Sequence, residues 1–112
     1  TPEFYASVYR ALTGDGVMVA QTESPWVNAD LVRTAFQGIQ ASFPITRLYI
    51  CNVPIYPTGM WSFTLGSKRY DPLTADIEER ASVLETKYYN PGVHLAAFQL
   101  PNFVRRLVEG EA

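Results

Sequence analysis

Five side chains in this sequence carry groups able to bind or activate a polar ligand: Gln21, Glu23, Tyr56, Trp61 and His94. Gln21 closes the apolar run Val17-Met18-Val19-Ala20, and ligands of open α/β sheets bind beyond the C-terminal ends of strands. An amide there can hold an amine or satisfy nearby backbone groups, and residue type leaves both readings open. Glu23 follows two positions later and can attract an ammonium, although an acid after a strand is more commonly a surface charge. Tyr56 lies between Pro54 and Pro57, which stiffen the loop around it. Its phenol offers an apolar wall, a hydroxyl and a ring face for a cation, whereas most loop aromatics serve packing. Trp61 can close over methylene groups or pack on a sheet. His94, the only histidine, sits among Val93, Leu95 and Ala97, a packing context before a catalytic one.

Other chemistries are poorly served. Cys51 is the only cysteine, so no intrachain disulfide or cysteine-based zinc site can form, and a reducing cytoplasm is the simpler setting. No metal-ligand cluster is present. Asp76, Glu78 and Glu79 read as a solvated face. The net charge is -2 with acids and bases scattered, which excludes the clustered Lys/Arg footprint of a nucleic-acid binder. No apolar stretch reaches the roughly 18–20 residues of a membrane span.

The elements that must position these groups follow from periodicity. Thr1 as cap, Pro2 in the first turn, and Phe4, Tyr5, Val8, Tyr9 and Leu12 at helical spacing predict a first helix, stopped by Thr13-Gly14-Asp15-Gly16. Val17–Ala20 reads as a buried strand. A second helix begins at Asn28-Ala29-Asp30, with Asn28 or Asp30 as its cap, Leu31, Val32, Ala35, Phe36, Ile39 and Phe43 on one face, and Pro44 after its end. Arg47–Val53 and Trp61–Gly66 are rich in β-branched and aromatic residues, and Pro54–Gly59 between them makes an antiparallel hairpin with a long connection. Ile77–Leu84 suits a helical turn or two. Pro91-Gly92 opens a short helix through Phe98, and Pro101 starts a last one carrying Phe103, Val104, Leu107 and Val108. This order predicts an α/β architecture, the closing half of a mostly parallel sheet whose last strand is antiparallel. At 112 residues there is room for one domain. The start at Thr1 without Met, and strands that read as buried on both faces, suggest part of something larger.

Four segments carry a resemblance. Val19-Ala20-Gln21-Thr22-Glu23-Ser24-Pro25, Pro54-Ile55-Tyr56-Pro57-Thr58-Gly59-Met60-Trp61-Ser62-Phe63-Thr64 and Thr86-Lys87-Tyr88-Tyr89-Asn90-Pro91-Gly92-Val93-His94 resemble the VAQTESP, PTYPSG-WSFT and KYYNPEVH signatures of spermidine synthases, in order and at suitable spacing. Ala96-Ala97-Phe98-Gln99-Leu100-Pro101-Asn102-Phe103 is similar to that family's closing AAF-LP-F string. The match runs end to end and looks bacterial in type. It departs at Ile55, where the family commonly has Thr, and at Thr58, where it commonly has Ser.

The resemblance implies a polyamine aminopropyltransferase, a small N-terminal β-domain followed by a class I methyltransferase-like, Rossmann-like α/β domain. Residues 1–112 would be the C-terminal part of that catalytic domain. The implied reaction transfers an aminopropyl group from decarboxylated S-adenosylmethionine, a co-substrate, to putrescine, with no metal or tightly bound cofactor. Gln21 and Tyr56 match residues of the family's diamine pocket, Trp61 would wall its apolar middle, and Glu23 would attract the far ammonium. The family's Gly-rich turn, ribose-binding acid and catalytic Asp of a DSTDPxGPA-type loop do not occur here, so the catalytic Asp is expected upstream of Thr1 and the chain alone is expected to be inactive. A cytoplasmic homodimer or homotetramer is implied, with no nucleic-acid or membrane partner. Two rivals stand beside this reading: a non-catalytic module associating through an open sheet edge, and a methyltransferase on the same fold.

Overall fold

The computed structural model describes residues 1–110. Thr1 caps the first helix, α1 (Pro2–Ala11), its hydroxyl accepting the Phe4 N–H at 3.2 Å. Pro2 occupies the first turn, where a missing N–H costs nothing. Strand β1 (Val17–Gln21) follows, then α2 (Ala29–Gln40), β2 (Ile45–Asn52), β3 (Met60–Ser67) and three short helices, α3 (Ile77–Ala81), α4 (Pro91–Ala97) and α5 (Asn102–Val108).

The three strands lie in the order β1-β3-β2, and β3 runs antiparallel to both neighbours. The hairpin and the antiparallel closing strand therefore stand as read from the sequence, and β1 and β2 run parallel to each other with β3 between them. Register sets Gln21 opposite Phe63, and Phe63 opposite Tyr49. Because side chains alternate across a strand, Gln21, Trp61, Phe63, Tyr49 and Cys51 share one face. Leu48, Ser62, Thr64 and Gly66 share the other.

That second face receives the helices. Val32 and Phe36 of α2, Val104 and Leu107 of α5 and Leu48 of β2 form the buried core, each large side chain contributing roughly 1.5–3 kcal/mol by leaving water. Ile39 and Phe43 settle over Gly66, where an added Cβ would stand 2.8–2.9 Å from their atoms. Tyr9 of α1 meets Phe43 edge-on, with centroids 5.2 Å apart.

Three local expectations are corrected. Leu31 is 55% exposed and lies outside the buried stripe, which runs Val32, Phe36, Ile39, Phe43; a step of about 100° per residue carries position 31 off that line. Asn28 stands at the N-cap of α2 but makes no cap bond with its side chain, which instead donates to Glu23 Oε2 at 3.2 Å. Strand β1 is not buried on both faces in this chain by itself: Val17 and Val19 are 45% and 48% exposed, because α2 and α5 pack on the opposite face.

Residues 71–90 carry little regular structure beyond α3 and are held by side chains. Asp71 pairs with Arg47 of β2. Asn90 caps α4 by accepting the Val93 N–H at 2.8 Å. His94 faces two partners, the Pro72 carbonyl at 2.9 Å from Nε2 and the Tyr89 hydroxyl at 2.6 Å from Nδ1. A carbonyl only accepts, so Nε2 carries the hydrogen, and in the neutral ring Nδ1 accepts from the Tyr89 hydroxyl.

Candidate functional site

Two irregular segments bound the C-terminal ends of β1 and β2: residues 22–28 after β1, and residues 53–59 between β2 and β3. The second is a tight double turn, in which the Tyr56 N–H donates to the Val53 carbonyl at 3.0 Å and the Gly59 N–H to the Tyr56 carbonyl at 3.1 Å. With Pro54 and Pro57 on either side, this geometry fixes the Tyr56 backbone. Its ring lies against Trp61 with centroids 4.5 Å apart and a tilt of 48°. The two aromatics are thus brought together as a half-buried wall.

Gln21 ends β1 on the same sheet face as Trp61. Its side chain is exposed, and its amide has no hydrogen-bond partner among the described residues. The Trp61 indole N–H is buried and is likewise without a partner among the described residues, a condition that costs about 1–3 kcal/mol. The Gln21 side chain is therefore reachable from solvent, whereas the Trp61 indole N–H is enclosed.

Glu23 sits differently from a freely projecting acid. Its backbone is left-handed, with φ of 77°, a strained region for a residue with a Cβ. Its carboxylate is held by Asn28. Its carbonyl accepts from both the Ser62 N–H at 2.9 Å and the Ser62 hydroxyl at 2.8 Å. Thr58, in the other segment, is also left-handed at φ 69°, and its hydroxyl meets that of Ser24 at 2.9 Å.

These hydroxyls were not singled out by the sequence reading. Ser62 and Thr64 are completely buried and Thr22 nearly so, and Thr22 Oγ1 lies 2.8 Å from Ser62 Oγ and 3.1 Å from Thr64 Oγ1. The available signal was the alternation in Trp61-Ser62-Phe63-Thr64-Leu65: hydroxyl residues occupy every second position of a strand, on the face that should be apolar.

A mostly apolar cavity of about 820 Å³ is lined among others by Tyr49, Cys51, Tyr88, Tyr89, His94 and Phe98, and not by Gln21, Glu23, Tyr56 or Trp61. Tyr49 stacks on Phe63 at 5.1 Å and meets Phe98 at 5.3 Å. Burial raises the Tyr49 phenol above its ordinary value, with Cys51 adding to the shift. Contact with Cys51 does the same for Tyr88, whose hydroxyl stands 3.9 Å from the thiol. His94 lines this cavity while bridging Pro72 and Tyr89. Among the described residues no group of three or more His, Cys, Asp or Glu could hold a metal ion, and no helix is long and apolar enough to cross a membrane.

Residues 1–76 match the family model described as the spermine/spermidine synthase domain. A polyamine aminopropyltransferase of Caldicellulosiruptor saccharolyticus is 52% identical over 106 residues, covering 95% of this chain and 38% of that protein. One from Moorella thermoacetica is 53% identical over 107 residues, covering 96% of this chain and 38% of that protein. Among solved structures, the spermidine synthase of Thermotoga maritima superposes with a TM-score of 0.89 at 45% identity, covering 97% of this chain and 39% of that one. A spermidine synthase in complex with the transition state analogue AdoDATO gives 0.91 at 43% identity, with the same coverage. The α/β fold here is that of the corresponding part of these proteins. The chain spans about two fifths of the length of the curated relatives it matches.

Proposed function

The chain belongs to the spermine/spermidine synthase family, and from that premise we propose that it is the C-terminal part of a polyamine aminopropyltransferase, supplying the diamine side of its pocket. One observation carries the assignment of the pocket: Tyr56 of the β2–β3 loop and Trp61 of β3 form an aromatic wall, and Gln21 ends the strand on the other side of β3 with its side chain exposed. A diamine needs both features, an apolar surface with π faces for its methylenes and ammonium, and a polar group for the attacking nitrogen.

The reaction is an in-line displacement. The neutral amine of putrescine attacks the carbon beside the sulfonium of decarboxylated S-adenosylmethionine. The N–C bond forms, the C–S bond breaks, and its electron pair returns to sulfur as a neutral thioether. A protonated amine has no lone pair, so a carboxylate must take its proton; that Asp is expected upstream of Thr1. The residues here orient the nucleophile. The Gln21 carbonyl accepts an amine N–H, Tyr56 and Trp61 hold the carbon chain in line, and Glu23 attracts the far ammonium. Holding two reactants in line supplies a large part of such a rate enhancement. Decarboxylated S-adenosylmethionine is a co-substrate, no metal is involved, and the assembled enzyme is a cytoplasmic homodimer or homotetramer.

The test is an assay of the full-length protein with putrescine and decarboxylated S-adenosylmethionine. Spermidine and methylthioadenosine released in equal amounts are expected. Methyl transfer from S-adenosylmethionine without aminopropyl transfer would assign the fold to a methyltransferase instead. The unpaired edge of β1 favours one further reading of this stretch by itself, as an associating half that regains activity only when the preceding half is supplied.

A further inference from the structure

We propose that Ser62 and Ser24 are positioning residues for the pocket, their hydroxyls locking the segment after β1 to β3 and to the β2–β3 loop respectively, so that Gln21 and Tyr56 keep a fixed relation. The inference rests on the functional reading above for the identity of the ligand, and on geometry for the rest.

The bond directions in the hydroxyl cluster are determined from one end. The Glu23 carbonyl can only accept, so the Ser62 hydroxyl donates to it at 2.8 Å and has spent its single hydrogen. Thr22 must then donate to Ser62 across 2.8 Å, and Thr64 to Thr22 across 3.1 Å. The result is a one-way chain, Thr64 to Thr22 to Ser62 to the Glu23 carbonyl, whose three hydroxyl-bearing residues are all buried. Bonds arranged head to tail in this way polarise one another in a low-dielectric interior.

The same residue also satisfies the Glu23 carbonyl a second time through its backbone N–H, and accepts the Thr22 N–H on its own carbonyl at 2.9 Å. Ser62 therefore holds two backbone groups, the Thr22 N–H and the Glu23 carbonyl, through three hydrogen bonds. The adjoining Glu23 is left-handed, a conformation that persists only where its surroundings enforce it. The second strained residue, Thr58, is held by the buried Ser24 hydroxyl, which also accepts the Trp26 N–H at 3.2 Å. Ser62 thus ties the segment after β1 to β3, and Ser24 ties it to the β2–β3 loop, each bond ending on a strained residue.

The experiment compares Ser62→Ala and Ser24→Ala with Ser67→Ala in the full-length protein. Ser67 is as buried as Ser62 and lies on the same strand, but its hydroxyl accepts the Arg69 N–H far from the pocket. Both pocket-side variants are expected to raise the KM for putrescine at least tenfold, with kcat within threefold and the KM for decarboxylated S-adenosylmethionine unmoved. Hydrogen exchange in residues 22–27 and 54–61 should quicken at least tenfold in both, and not in Ser67→Ala. Unchanged exchange, quickened exchange with an unchanged putrescine KM, or the same KM rise in Ser67→Ala would each overturn the proposal. Should Ser62→Ala not fold, Ser24→Ala alone decides by the same criteria. A parent protein that transfers no aminopropyl group would remove the functional reading, and the exchange pattern would then decide the locking role by itself.

Discussion

Arg47 of β2 and Asp71 meet at two points, Nε to Oδ1 at 3.2 Å and Nη2 to Oδ2 at 2.6 Å. The pair ties the start of the irregular segment 71–90 to the sheet, and the Leu73 N–H adds a third bond to Oδ1 at 2.9 Å. The Arg47 hydrogen bond holds the Asp71 carboxyl below its ordinary value of 3.8, against an opposing effect of burial. A carboxyl depressed in the folded state stabilises fully above its unfolded value and loses that contribution as pH falls through the folded one. Arg47 keeps 41% of its side-chain surface in water, so screening limits the contribution to about 1 kcal/mol. Asp71→Asn should lower the thermal midpoint at neutral pH and begin to converge with the parent only as pH falls below 3.8 toward the depressed folded value. A gap that persists unchanged into stronger acid would show that the ion pair is not its source.

Gly66 is a matter of space. A Cβ there would stand 2.8 Å from Phe43 Cγ and 2.9 Å from Ile39 Cγ2, both in side chains that are themselves buried. Gly66→Ala should therefore cost about 1–3 kcal/mol in urea denaturation, as overpacked cores do. A loss below about 0.5 kcal/mol would mean that α2 can shift away from β3 at no cost.

Thr58 combines a branched Cβ with a left-handed backbone, the least favourable pairing of the two. Thr58→Ser keeps the hydroxyl that meets Ser24 and relieves the branch, so stability should rise by about 0.5 kcal/mol. Thr58→Val keeps the branch and loses the bond, and should fall below the parent. Equal melting of the two variants would sink this account of the loop.

His94 bridges Pro72 and Tyr89. His94→Leu should lose about 1–2 kcal/mol and speed hydrogen exchange across residues 72–89. The KM for the diamine should not move, since the ring is a strut. A large effect on KM with no loss of stability would give His94 the active role that its packing argues against.

Tyr56 separates wall from hydroxyl. Tyr56→Ala should raise the putrescine KM more than tenfold, a change of about 1.4 kcal/mol, and Tyr56→Phe less than threefold. Equal losses in the two would transfer the contribution to the phenol oxygen.

Much of this was legible in the chain, for identifiable reasons. Thr1 and Pro2 announced α1 because capping chemistry is local. Pro54, Pro57 and Gly59 announced the loop bearing Tyr56 because proline and glycine restrict or free the backbone wherever they stand. Leu31 misled because an apolar residue one step off a helical stripe looks much like a member of it. The exposure of Val17 and Val19 was hidden because a buried strand and an apolar edge strand read alike over five residues. The hydroxyl chain could not be read at all, since Thr22 and Ser62 are forty positions apart and only strand register unites them. The roles of Gln21, Glu23, Tyr56 and Trp61 rest on the functional proposal.

The placing of β3 between β1 and β2 also dictates an order of events in time. β1 and β2 have no hydrogen bonds with each other and meet only through the strand made after both. Val17 waits for Ser67, fifty positions later, before its rung can close. During synthesis neither of these two pairings can form until β3 has cleared the ribosome. Gln21 and Trp61, brought onto one face by that last strand, come into their relation only at this final step.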